Sequence, residues 1–268
     1  MKKKMNGWLL SGLILTAALL VLIIAGFFWT PFDPSAMSGS EKLLAPSLRH
    51  LMGTDNFGRD IFSRVLKGAG TTLIIAACTV AIGGVCGTVV GALTGYFGGR
   101  MDAVLMRFND AMTAFPSMLL GLVFVSIFGS GSANVILALG IVFIPSFARV
   151  TRSAFASVRD ANYVKSARLM GAGSGRILLV HLLPNILPVL LPALTIGFNN
   201  AVLAEASMSY LGIGSMSSLG YMLSNAQSML YKAPWYALGT GLTIVALIFG
   251  VGLIGEGLQR RNGGQKYA

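Results

Sequence analysis

The chain has 268 residues, of which 54% are hydrophobic and only 11% charged, and its mean hydropathy is +0.74. A water-soluble domain carries roughly a quarter of its residues as charges, so the composition excludes an ordinary soluble globule and points to a surface that meets lipid. The net charge of +11 does not mark a nucleic-acid binder, because the basic residues are scattered between apolar stretches and not gathered with aromatics in one patch.

In chain order, a basic Met1–Lys4 precedes the apolar run Trp8–Trp29. That run is too long for the core of a secretory signal and reads as a retained first membrane helix. Residues 31–70 form the longest polar interval, and the further apolar spans are Thr71–Tyr96, Val104–Phe128, Asn134–Val150, Leu182–Leu203 and Tyr236–Leu258. The expected fold is all-α: a polytopic bundle of about six membrane helices. It divides into segment 1–30, an outer loop 31–70, and a core 71–268 that contains a cytoplasmic segment 160–182.

Six spans place both termini on one side. With the N-terminus inside, that side holds Lys2, Lys3, Lys4, Arg100, Arg107, Arg149, Arg152, Arg159, Lys165, Arg168, Arg176, Arg260, Arg261 and Lys266. The other side holds Lys42, Arg49, Arg59, Arg64, Lys67 and Lys232, so the positive-inside bias favours cytoplasmic ends. The five cations of 31–70 run against that bias.

In the second span Gly83, Gly87, Gly91 and Gly95 recur every four residues and share one helical stripe. Another helix can approach closely there. Two readings stay open: packing inside one subunit, or a stripe that faces the pathway or a partner. In the third span, Arg107 and Asp110 have a spacing that allows an ion pair. The fifth span carries Pro184, Pro188 and Pro192, which remove backbone donors and predict a kinked helix inside the bundle.

No G-x-x-x-x-G-K-[ST] and no H-E-x-x-H pattern occurs, so no nucleotide engine or zinc site can be read in this chain, and it is expected to be non-catalytic with no cofactor of its own. The informative stretch is Tyr163-Val164-Lys165-Ser166-Ala167-Arg168-Leu169-Met170-Gly171, followed by Ala172-Gly173-Ser174-Gly175-Arg176 and by His181-Leu182-Leu183-Pro184. A short basic helix, a glycine turn and an elbow into a proline-bearing span form a lever that can carry a push from a partner.

This stretch resembles the cytoplasmic coupling segment of ABC importer permeases, whose pattern is Glu-Ala-Ala, three residues, Gly, and then Ile-x-Leu-Pro. Lys165-Ser166-Ala167 fills the first triplet, Gly171 the glycine and Leu183-Pro184 the close, while His181 stands where the pattern has isoleucine. The loop signature Gly53-Thr54-Asp55, Gly58-Arg59-Asp60 and Ser63-Arg64 is similar to that of the dipeptide/oligopeptide/nickel permeases, as are Glu205–Gly214 and Ala233-Pro234-Trp235. The resemblance implies a permease subunit in the bacterial plasma membrane, the second of a heterodimeric pair. It also implies two ATPase subunits or domains that bind ATP and Mg²⁺, an external solute-binding protein, and contact of Tyr163, Lys165, Ser166, Ala167, Arg168 and Gly171 with the ATPase side. A peptide is the first expected cargo and nickel or a chelated metal the second. A self-sufficient channel or ion-coupled carrier is the alternative from another class. The loop signature itself reads as a structural ion-pair network or as a contact for the solute-binding protein.

Overall fold

The computed structural model describes residues 6–263. Lys2, Lys3, Lys4 and Lys266, which enter the charge count above, lie outside the described residues. The helices in order are α1 (Gly7–Phe28), α2 (Ile61–Phe97), α3 (Gly99–Thr113), α4 (Ser117–Phe128), α5 (Ser132–Val158) and α6 (Asn162–Leu169). Then come the single turn α7 (Ser174–Arg176), a π-helical turn Ile177–Leu182, and α8 (Leu183–Tyr210), α9 (Leu219–Gln227) and α10 (Pro234–Gly263). Five helices are long and apolar enough to cross a membrane, and a sixth crossing arises if α3 and α4 form one broken span.

Topology requires that sixth crossing. The glycine stripe of α2 meets α5 in register, Gly83 beside Phe143 and Gly95 beside Phe155, so α2 and α5 run parallel. The chain must therefore return across the bilayer between them, and only α3 and α4 are available. The expected continuous span Val104–Phe128 is thus corrected to two helices bent by 88°. Pro116 follows the end of α3, where a proline cannot continue the hydrogen-bond ladder. At 12 residues, α4 rises about 18 Å, well short of the roughly 30 Å hydrocarbon layer.

Other boundaries also shift. The polar interval ends at residue 60, because Asp60 caps α2 by accepting from the Ser63 N–H at 2.7 Å. With 37 residues, α2 is about 55 Å long, well beyond the roughly 30 Å hydrocarbon layer. The fifth span packs on α2, α5, α9 and α10 through one face and leaves the other open among the described residues. Ile186, Leu190 and Gly197 of α8 are buried, but Pro188, Leu187, Val189 and Leu191 are exposed. Prolines 188 and 192 are accommodated without ending the helix, and the irregularity lies upstream, in the π turn that closes on Leu183 N–H to Leu178 C=O.

α1 packs antiparallel along α10. Asn6 donates to the Gly257 carbonyl at 3.4 Å, and the Arg260 guanidinium lies 4.7 Å from the centre of the Trp8 ring. The two ends of the described chain therefore share one face, which also carries α6. The opposite face carries the loop between α1 and α2, the segment 211–218 and α9.

Candidate functional site

On the loop face, all eight signature residues converge in one knot. Asp55 is fully buried and accepts from the N–H groups of Phe57 (2.8 Å) and Arg59 (3.0 Å). Its Oδ2 also takes the Arg59 Nε at 2.7 Å and the Arg64 guanidinium. Asp60 receives the His50 Nδ1 at 2.9 Å as well as the Ser63 N–H, and Ser63 Oγ accepts from the Phe32 N–H at 3.2 Å. Thr54 Oγ1 accepts from the Leu44 N–H at 2.9 Å and donates to the Glu41 carbonyl. Gly53 and Gly58 adopt φ of 74° and 77°, and each turns where a neighbouring carbonyl, Leu44 or Ser38, leaves no room for a Cβ. The knot holds the ends of α1, α2 and α10 together, with the Trp235 indole against Gly53.

A second polar cluster was missed in the sequence. Glu205 on α8 is fully buried and accepts from Ser209 Oγ at 2.7 Å, and Ser209 Oγ accepts from the Ser215 N–H at 3.0 Å. Thr72 on α2 accepts from the Leu219 N–H at 3.2 Å. These bonds seat segment 211–218 and α9 in the mouth of the bundle. The Glu-Ala-Ser-Met-Ser run gave a signal for family but none for these partners.

The glycine stripe faces α5. A Cβ at Gly87 would stand 2.6 Å from Phe147 Cβ and 2.8 Å from the Ile144 carbonyl, and one at Gly91 would stand 2.6 Å from Thr151 Cβ. Of the two open readings, packing within this chain is the one the geometry gives. The expected Arg107–Asp110 pair is absent among the described residues. Asp110 instead meets Arg149 of α5 at 3.2 Å, and Asp102 takes both Nε and Nη2 of Arg152 at 2.5 and 2.6 Å. The carboxylates of α3 turn toward α5, not along their own helix.

On the opposite face, α6 packs Val164 and Ala167 against Phe155, Ile177 and Leu182. It ends in a Schellman turn: Ala172 N–H bonds to Ala167 C=O and Gly171 N–H to Arg168 C=O, both at 3.0 Å, with Gly171 at φ 81°. Tyr163, Lys165, Ser166 and Arg168 lie on the open side, and Arg168 rests 5.2 Å from the Tyr96 ring centre at the end of α2. Leu169 and Met170 are 89% and 81% exposed, an apolar pair that nothing among the described residues covers. Leu183 and Pro184 follow directly on the π turn, where Asn185 Nδ2 donates to the His181 carbonyl at 2.6 Å. One continuous rod therefore runs from Ser174 to Tyr210, with α6 hinged at its base.

Toward the loop-face end of this rod, α4, α5 and α8 line a half-open cavity of about 360 Å³. Its polar groups are Ser117, Ser146, Asn200 and Ser207, and its apolar wall includes Met118 and Phe143. No charged side chain lines it. Ser117 reaches it because the third span breaks there.

The arrangement is that of a polytopic membrane subunit: a mixed polar and apolar cavity between broken and proline-bearing helices, with an exposed lever at the base of one of them. Residues 87–263 match the family described as binding-protein-dependent transport system inner membrane component, and the chain belongs to that family. It is a multi-pass inner-membrane permease subunit of an ABC importer of the peptide family. It is 35% identical to the dipeptide transport system permease protein DppC of Alkalihalophilus pseudofirmus, over 96% of this chain and 85% of the relative. Identity to the Haemophilus influenzae protein of the same name is 36%, covering 96% and 90%. The glutathione transport system permease protein GsiD of Pectobacterium atrosepticum is 36% identical over 89% and 82%. In fold the chain is similar to a chain of the inward-facing MetNI methionine ABC transporter. That match has a TM-score of 0.64 at 22% identity and covers 74% of this chain and 96% of the other.

Proposed function

We propose that this permease carries dipeptides or short peptides. It forms half of the pathway beside a homologous permease. It receives cargo from a solute-binding protein on the loop face and is driven from the α6 face by two ATPase subunits that hold ATP and Mg²⁺. Both chain ends would then be cytoplasmic. The observation that carries this reading is the cavity between α4, α5 and α8, where hydroxyl and amide groups stand beside thioether and aromatic surface with no charge among them. Such a lining suits peptide groups, which offer donors and acceptors whatever their side chains. Nickel or a chelated metal fits it less well, because imidazole, thiolate and carboxylate ligands are missing from that lining.

The lever supports the drive. Closure of the ATPases would press on Tyr163, Lys165, Ser166, Ala167 and Arg168, and the Schellman turn at Gly171 would pass the motion through the π turn to Leu183, Pro184 and the rod. The close is a switch between two packed arrangements of the bundle. The test is uptake by the assembled importer in proteoliposomes, with labelled dipeptide or labelled nickel, for wild type and Asn200→Leu. Dipeptide uptake that falls at least tenfold in the variant, with nickel not taken up by either, is the expected result. Uptake of nickel but not dipeptide by the wild type overturns the peptide reading.

A further inference from the structure

A second cavity, of about 600 Å³, opens on the loop face between the end of α1, the start of α2, segment 211–218 and α9. Lys67, Arg59, Arg64 and Asp33 supply its charges, and Phe27, Met216 and Met222 supply apolar wall. The two arginines already share Asp55, and the Arg59 guanidinium also lies 4.7 Å from the Phe57 ring centre. The Asp33 carboxylate accepts from the Ser35 N–H (2.8 Å) and Oγ (2.6 Å). Lys67 is exposed, and among the described residues no carboxylate lies within ion-pair distance of it. Three cations face two carboxylates, which leaves one positive charge in excess.

Position narrows the ligand. Lys67 heads a face of α2, opposite the glycine stripe, that continues through the exposed Ile74 to Val85 and Val89, which line an apolar groove of about 910 Å³ beside α8 and α10. The Lys67 ammonium therefore stands where the apolar surface of α2 ends and the polar loop face begins. Phe28 and Trp29, 87% and 69% exposed, mark the same boundary at the end of α1. The cavity is therefore amphipathic and lies at the junction of lipid tail and headgroup.

We propose that this cavity binds the phosphate of an anionic phospholipid, with Lys67 as its principal contact and Phe27 and Met222 against the glycerol and upper acyl chain. The single excess charge favours a headgroup that is anionic overall, because a choline headgroup brings its own cation toward Lys67. This accounts for a lysine kept on the side of the membrane that the positive-inside bias depletes. It does not depend on what the importer carries.

The test is native mass spectrometry of the assembled importer, titrated with phosphatidylglycerol, with phosphatidylcholine and with inorganic phosphate. Wild type should retain phosphatidylglycerol over phosphatidylcholine by about fivefold, the worth of one interfacial lysine. Lys67→Gln should abolish the preference, Lys67→Arg should restore it, and Lys42→Gln, elsewhere on the loop face, should leave it intact. No preference in wild type, or a preference that survives Lys67→Gln, overturns the proposal. Displacement of the lipid by equimolar inorganic phosphate assigns the cavity to free anions and overturns the lipid source. Loss of solute-binding-protein docking in Lys67→Gln, with lipid retention unchanged, assigns the face to that partner and also overturns it.

Discussion

Asp102 and Arg152, fifty residues apart in sequence, meet in a two-point contact at 2.5 and 2.6 Å that fastens α3 to α5. Two-point carboxylate–guanidinium pairs fix orientation as well as distance, so this contact sets the angle at which the broken third span enters the bundle. Asn109 adds a bond from Nδ2 to the Pro145 carbonyl at 3.2 Å, about two turns further along.

Asp102→Asn should weaken this fastening modestly, because the arginine side chain is 42% exposed and water screens the pair. A double-mutant cycle with Arg152→Gln, read by thermal unfolding in detergent, should give a coupling of about 1 kcal/mol. The reversed pair, Asp102→Arg with Arg152→Asp, should recover most of the loss. Additive effects would show that the two groups do not act together.

Replacing Gly91 by leucine should separate α2 from α5. Even a Cβ there would stand 2.6 Å from Thr151 Cβ and 2.8 Å from the Arg152 nitrogen, and overpacking of this kind costs about 1–3 kcal/mol or more. The expected readout is loss of folded protein from the membrane fraction. Leucine at Gly241, beside which nothing lies within 4 Å, should be tolerated and serves as the control.

Asp55→Asn should loosen the loop knot, since it leaves Arg59 and Arg64 without their shared carboxylate in a site where Asp55 is fully buried. Breaking a buried pair costs about 3–5 kcal/mol. Limited proteolysis between residues 40 and 60 should speed up markedly. An unchanged cleavage rate would mean that the remaining bonds of Thr54, Asp60 and Ser63 hold the loop alone.

Alanine at Gly171 meets no neighbour, yet the backbone there is left-handed at φ 81°. The cost is about 1–2 kcal/mol, carried by the turn itself. The expected result is normal assembly with slower dipeptide-stimulated ATP hydrolysis, whereas Gly173→Ala, at an ordinary φ, should be silent.

The sequence made some of this architecture legible and hid the rest for physical reasons. Hydropathy located the membrane helices, because the lack of backbone partners in lipid leaves little choice but helices. It did not show the break at Pro116, since residues on both sides of the bend are apolar enough to read as one run. The four-residue glycine spacing marked a close approach, but its partner helix is set by topology and not by spacing. Asp110 sits three residues after Arg107, yet its side chain faces α5 and meets Arg149, so helical spacing alone named the wrong partner. The coupling stretch and loop signature were visible as motifs. The cavity between α4, α5 and α8 was not, because Ser117, Ser146, Asn200 and Ser207 come from three helices and make no pattern along the chain.

The central claim is that force enters this subunit through the exposed tip of α6. Leu169 and Met170 touch little within the chain, so Leu169→Ser with Met170→Ser should leave its fold intact. Dipeptide uptake and dipeptide-stimulated ATP hydrolysis should be measured together for this double variant in the reconstituted importer. Loss of both, with the subunit still inserted and folded, is the predicted result; wild-type uptake with wild-type stimulation would contradict the account.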